Sequence, residues 1–145
     1  MIRDVLMSDK DEIIKMMEEF YSSPAVLHTV DKNNFLNTLN VAISKSPYVR
    51  LLVMENSSEI TGYCQLSFSY SNEVGGICVF IEELMIKESH RNKGYAKEFL
   101  NFVFSEYKDA KRFRLEVTKE NITALSLYKK MGFTPLSYTQ MIIDK

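Results

Sequence analysis

Two stretches of the chain hold residues whose types and spacing can do chemistry. The first is His90-Arg91-Asn92-Lys93-Gly94-Tyr95-Ala96. An apolar run precedes it and a helical periodicity follows it, so this basic turn opens a helix. A helix N-terminus leaves four backbone N–H groups unpaired and carries partial positive charge. A glycine there lets backbone approach a ligand closely, and Arg91 and Lys93 add formal charge. Strand, basic turn and helix together make a cradle for a pyrophosphate. The bland alternative is a strand-to-helix turn with solvated basic side chains. Neither a P-loop nor a GxGxxG fingerprint is present. The second stretch is Glu82-Glu83, two acids inside the apolar run Ile77–Ile86. Buried carboxylates are costly without partners. Neighbours in a strand point to opposite faces, so the two have different tasks. One can serve as a general base, through water, while the other holds a cationic amine. The alternative is a structural ion pair with Arg112 or Arg114. Glu73, in the loop before the strand, is a possible third acid.

These residues need elements to position them. Ile2–Leu6 reads as a first strand. Ser8 with Asp11 is a capping-box-like start for a helix over about 9–21, with Ile13, Met16, Met17, Phe20 and Tyr21 at helical spacing. Pro24 breaks it. Asp31 can cap a second helix through about Ser46. Leu51–Met54 and Ile60–Tyr70 read as strands, the latter interrupted by Gly62. Ile77–Ile86 is a long strand suited to burial on both faces. From Gly94 to Tyr107 an amphipathic helix follows. Phe113, Leu115 and Val117 alternate with polar residues, giving a strand over 113–118. Ile122–Met131 is a helix that Asn121 can cap and Gly132 can end. Phe133–Ile143 closes the chain with strand-like character. Strands therefore carry helices on both faces in a mixed order.

Composition bounds the reading. The chain has 145 residues, 46% hydrophobic and 26% charged, which predicts one domain over 1–145. Lys and Arg number 18 against 19 Asp and Glu, a formal net charge of −1, so nucleic acid is not expected as a partner. Cys64 and Cys78 lack CxxC spacing, read as small buried apolar residues, and point to a reducing compartment. No apolar run is long enough for a membrane span and no secretory signal is visible, so a cytoplasmic protein without a metal is expected. His90 reads as an exposed polar residue and His28 as a core or surface one.

Arg91-x-x-Gly94-x-Ala96 resembles the Gln/Arg-x-x-Gly-x-Gly/Ala motif of the GNAT (Gcn5-related) N-acetyltransferases. Asn121-x-x-Ala124-x-x-Leu127-Tyr128-x-x-x-Gly132-Phe133 is similar to that family's second signature. Ile81-Glu82-Glu83-Leu84-Met85-Ile86 is similar to its strand beside the acetyl group. The three pieces stand in the right order over roughly residues 77–134. Ala96 replaces a more frequent glycine, and a proline often found after the strand is missing.

The resemblance implies an α/β (α+β) fold with a mixed, mostly antiparallel sheet of six to seven strands. It implies acetyl-CoA as co-substrate, its pyrophosphate on Arg91, Asn92, Lys93, Gly94, Tyr95 and Ala96. The pantetheine arm would pair with Leu84, Met85 and Ile86, and Asn121 would make polar contacts. Glu82 matches the acid suggested as base in polyamine-acetylating relatives, with Glu83 as the other candidate. Tyr128, on its own a core aromatic, would protonate the departing thiolate. The expected reaction is direct acetyl transfer to a primary amine, with a small cationic amine favoured. Open alternatives are a peptide or protein acceptor, a longer acyl donor, or an idle acyl-CoA-binding sensor. The chain would act as a monomer or homodimer.

Overall fold

The computed structural model covers Met1–Lys145 and contains five strands and four α-helices. In chain order these are β1 (Ile2–Asp4), α1 (Lys10–Tyr21), α2 (Lys32–Ile43), β2 (Val49–Asn56), β3 (Glu59–Ser71), β4 (Gly76–Ile86), α3 (Tyr95–Glu106), β5 (Arg112–Leu115) and α4 (Ile122–Lys130). The strands form one sheet in the order β1-β2-β3-β4-β5. All neighbours are antiparallel except β4 and β5, which run parallel around the α3 crossover. No helix is long and apolar enough to cross a membrane.

Strand alternation sorts the core into two clusters. On β2, Leu51 and Val53 face one way and Leu52 and Met54 the other, and all four are buried. Leu51 and Val53 pack with Ile13, Met16 and Met17 of α1 and Phe35 and Leu39 of α2. Leu52 and Met54 pack with Phe99, Leu100 and Val103 of α3, and Leu127 and Tyr128 of α4 lie against the same cluster. The sheet is therefore covered by α1 and α2 on one face and by α3 and α4 on the other.

Three expectations are corrected. The sheet has five strands rather than six to seven: residues 134–145 take an irregular, fully exposed path. Apolar alternation makes a strand only where a neighbour pairs with it, and no backbone hydrogen bond joins this segment to the sheet. β5 stops at Leu115 rather than continuing to Thr118, because its ladder with β4 ends there. Ser8 caps no helix. A short 3-10 turn at Met7–Asp9 leads into α1, and Asp9 instead accepts from the Leu6 N–H at 2.8 Å and pairs with Arg3 at 2.8 Å. The other two caps form as expected, from the Asp31 carboxylate to the Asn33 N–H and from Asn121 Oδ1 to the Ala124 N–H.

Gly62 marks a close backbone approach between β3 and β4. A Cβ there would lie 2.6 Å from Ile86 Cδ1 and 2.7 Å from the Met85 carbonyl oxygen. The carbonyl cannot retreat without breaking the β3–β4 register, in which Gly62 sits opposite Ile86. Gly62→Ala is therefore expected to destabilise the fold by about 1–3 kcal/mol, the usual cost of overpacking. Thermal unfolding followed by circular dichroism measures this, and an unchanged melting temperature would contradict the tight β3–β4 contact.

Candidate active site

The site grows from a failure of strand pairing. β4 and β5 pair only from Cys78↔Arg112 to Ile81↔Leu115, and then they part. Beyond Ile81, β4 still pairs with β3 on its other side, at Cys64↔Leu84, Tyr63↔Met85 and Gly62↔Ile86. The backbone of Leu84, Met85 and Ile86 thus has an open edge facing the gap. A register shift falls at the same place: Gln65 is opposite Glu83 while Leu66 is opposite Ile81, so Glu82 has no partner residue. This is a β-bulge. Because of it Ile81 and Leu84, three residues apart, pack against the same α3-side cluster.

The bulge gives the two acids different surroundings. Glu83 is 7% exposed and turns toward α1. The Tyr21 hydroxyl donates to its Oε1 at 2.6 Å and the Tyr63 hydroxyl to its Oε2 at 2.7 Å. Burial holds the Glu83 carboxyl above the usual range, and the nearby Glu82 charge adds to this, while the two tyrosine hydrogen bonds work against it. Glu82 is exposed, and Ser67 Oγ donates to its Oε1. Neither acid meets the arginines offered as structural partners. Arg112 pairs with Glu73 at 2.6 Å, and Arg114 lies over the Phe80 ring at 5.3 Å. Glu73 is thereby neutralised and is no third free acid.

Glu82 opens into a cavity of about 60 Å³. Its walls are Phe20 and Ala25 near the end of α1, Ile81, Glu82 and Leu84 of β4, Glu116 and Val117 after β5, and Asn121, Ala124 and Tyr128 of α4. Two carboxylates line it and no cation does. Thr118 Oγ1 donates to the Pro24 carbonyl at 3.0 Å, tying the α1–α2 loop to the segment after β5. Tyr128 is half-buried, and burial pushes its hydroxyl up to about 12, with Cys64 a smaller cause. That hydroxyl keeps its proton at neutral pH. Cys64 itself is buried, and burial raises its thiol well above the ordinary value, so it is no nucleophile at neutral pH.

At the other end of the gap lies the basic turn. Gly94 is the N-cap of α3 at φ +86°, and nothing lies within 4 Å of where its Cβ would be. Asn92 is also left-handed, at φ +63°. The N–H groups of Asn92, Lys93, Gly94, Tyr95, Ala96 and Lys97 have no backbone acceptor. A run of unpaired donors at a helix start, with open space above a glycine, fits a pyrophosphate. Arg91 has a bracing task as well as a charge: its Nε donates to the Ile86 carbonyl at 3.1 Å and holds the turn against the end of β4. His90 lies aside, with Nδ1 2.9 Å from Ser89 Oγ. His28 is exposed. No group of three or more His, Cys, Asp or Glu side chains converges on a metal position.

The structure thus brings Glu82, Leu84, Asn121 and Tyr128 to one cavity, and sets the Gly94 turn beyond the same gap. It separates Glu83 from them. Sequence reasoning missed Glu116, Ser67, Tyr21 and Tyr63. Glu116 was legible as the polar member of an alternating strand, but the demand of Glu83 for two donors does not say which tyrosines supply them.

Comparison with known proteins accords with this geometry. A Bacillus subtilis (strain 168) protein provisionally named as a ribosomal protein bS18-alanine N-acetyltransferase is 26% identical over 136 residues, 92% of this chain and 80% of that protein. Streptothricin acetyltransferase from Escherichia coli is 28% identical over 118 residues, 74% of this chain and 66% of that protein. Among solved structures, the aminoglycoside N-acetyltransferase AAC(6')-Iy in complex with CoA superposes with a TM-score of 0.79 at 14% identity, over 100% of this chain and 94% of that one. The profile of the acetyltransferase (GNAT) family matches residues 11–133, from α1 through the open gap and the Gly94 turn to Phe133, and the chain is an N-acetyltransferase belonging to that family.

Proposed function

We propose that the enzyme transfers acetyl from acetyl-CoA directly to the primary amine of a small cationic acceptor. The observation that carries the acceptor class is the cavity beside Tyr128, lined by Glu82 and Glu116 and by no cation. A protonated amine is attracted there and an anion repelled. The Thr118–Pro24 bond closes the cavity toward small molecules. A protein N-terminus is the second reading, favoured by the likeness to the Bacillus subtilis protein named for a ribosomal-protein substrate. A transfer screen over polyamines, amino sugars, amino acids and peptides separates the two. Turnover confined to peptides would reject the small-amine reading.

The co-substrate would be held by the free N–H groups of Asn92–Lys97 with Arg91 and Lys93, by the open edge of Leu84–Ile86, and by the Asn121 amide. When bound, acetyl-CoA supplies a thioester carbonyl and a thiol leaving group. Gly94→Ala adds a Cβ where the pyrophosphate would approach, at a cost in the left-handed region small enough to keep the fold. Acetyl-CoA affinity, read by calorimetry, is expected to fall about tenfold or more. A folded variant with unchanged affinity would remove the cradle.

Glu82 accepts the proton of the attacking amine, directly or through one water. Backbone N–H groups on the open edge of β4 stabilise the developing oxyanion. Tyr128, protonated because burial holds its hydroxyl up to about 12, donates to the sulfur as it leaves. Tyr128→Phe is expected to lower kcat by about 10²-fold with little change in acetyl-CoA affinity. Unchanged turnover, with chemistry rate-limiting, would exclude the tyrosine from proton transfer.

The two acids should also differ. Glu82→Gln is expected to lose kcat by about 10²-fold or more, with partial recovery at high pH as the acceptor's free amine accumulates. Glu83→Gln keeps the amide within reach of Tyr21 and Tyr63 and is expected to raise the acceptor KM while sparing most of kcat. Steady-state kinetics on the best amine from the screen tests this pair. Equal effects of both substitutions would mean that the bulge does not divide their roles.

A further inference from the structure

The bulge that sets Glu82 apart from Glu83 also takes away its restraint. Gln65 is opposite Glu83 and Leu66 opposite Ile81, so no residue of β3 stands across from Glu82. A glutamate turns about several side-chain bonds, and ordering an exposed one costs conformational entropy. Glu83 is close enough to feel the Glu82 charge, Glu116 lines the same cavity, and no cation lines it to hold either acid in place. Proton removal needs a carboxylate oxygen within hydrogen-bond reach of the amine, so a base free to swing away is a poor one.

One side chain supplies the missing restraint. Ser67 Oγ donates to Glu82 Oε1, the one hydrogen bond that the Glu82 side chain makes. Ser67 is itself held from both sides, because β3 is an inner strand: it stands opposite Val49 of β2 and Phe80 of β4. Its backbone cannot shift without breaking two ladders, so its hydroxyl is mounted rigidly. Arg114, the neighbour of Phe80 on β5, lies over the Phe80 ring at 5.3 Å and meets neither acid. The choice of donor matters. An arginine bonded to a carboxylate favours the anion and weakens it as a base, whereas a neutral hydroxyl orients it at a smaller cost to its affinity for a proton. We propose that Ser67 is a positioning residue for acetyl transfer: its hydroxyl fixes Oε1 of Glu82 and leaves Oε2 free to take the proton of the attacking amine. This rests on the reading of Glu82 as the base. Ser67 keeps its own proton throughout, and the amine's proton passes to Glu82 alone.

The test is a mutant cycle in the full chain, with acetyl-CoA and the best amine from the transfer screen. Ser67→Ala removes only the hydroxyl and is expected to lower kcat by about tenfold. The acceptor KM is expected to change by less than about twofold, because the Glu82 charge remains. Acetyl-CoA affinity by calorimetry and the melting temperature should both stay at the wild-type value. Ser67→Thr returns a hydroxyl to the same place and is expected to restore most of kcat. In a Glu82→Gln background, Ser67→Ala is expected to change kcat by less than about twofold, since the group it positions is gone. Wild-type kcat in Ser67→Ala, with Glu82→Gln impaired, overturns the positioning role and leaves Glu82 as the base. Wild-type kcat in Glu82→Gln removes the base itself, and this inference with it. An equal loss from Ser67→Ala in both backgrounds, or a loss that Ser67→Thr does not restore, overturns the inference as well.

Discussion

The separation of β4 from β5 after Ile81 is the constraint from which the rest of the site follows. Four residue pairs hold the two parallel strands together, and past them β4 keeps its pairing with β3 alone. A strand edge left open inside a sheet has hydrogen-bonding groups that must be met by water or a ligand. α3 and α4 begin at Gly94 and Asn121; α3 brings unpaired helix N–H groups to the gap, whereas the first turn of α4 is capped by the Asn121 side chain. The gap is thus lined with donors at one end and with carboxylates in its middle. An acyl carrier with a phosphate-bearing tail and an amide-bearing arm matches that distribution of charge and hydrogen-bonding capacity.

The bulge at Glu82 accounts for the division between two acids of identical chemistry. With unbroken alternation, Ile81 and Glu83 would share a face. The extra residue turns Ile81 toward α3 while Glu83 remains on the α1 side among Tyr21, Tyr63 and Met85. Glu83 ties the end of α1 to the middle of the sheet through the Tyr21 hydroxyl. It also stands one residue behind Glu82 as a buried acid. Its desolvation cost is met by two donors placed by different elements. That arrangement holds only while α1 keeps its angle on the sheet. A single carboxylate thus ties the end of the first helix to the strand that carries Glu82.

The polar network also explains why Arg112 and Arg114 do not reach the acids. Both sit on β5 where it is still paired with β4, before the gap opens. Arg112 turns to the β3–β4 hairpin and meets Glu73, and Arg114 stacks on Phe80. The two β5 arginines are thus held at the closed end of the β4–β5 pair, away from Glu82 and Glu116. This segregation gives the cavity its negative character in a chain whose formal net charge is only −1.

Much of this molecule was written into local pattern. Helical spacing marked α1 to α4, the Asp31 and Asn121 caps formed where expected, and the motifs around Gly94 and Tyr128 pointed to the acetyltransferase family. Those signals are legible because they depend on residues a few positions apart. Pairing is not local. The strand-like pattern of Phe133–Ile143 made no strand because a strand exists only beside a paired neighbour, and no backbone hydrogen bond joins residues 134–145 to the sheet. The alternation through Val117 did not extend β5, since the ladder ended where β4 bent away. The unlike surroundings of Glu82 and Glu83 followed from a one-residue mismatch between β3 and β4. Chain order singled out the two acids of β4 and the basic turn at Gly94. Only the packed sheet decided that Glu83 would be held by tyrosines from α1 and β3, that Glu116 would join Glu82, and that the gap between β4 and β5 would open beside Tyr128.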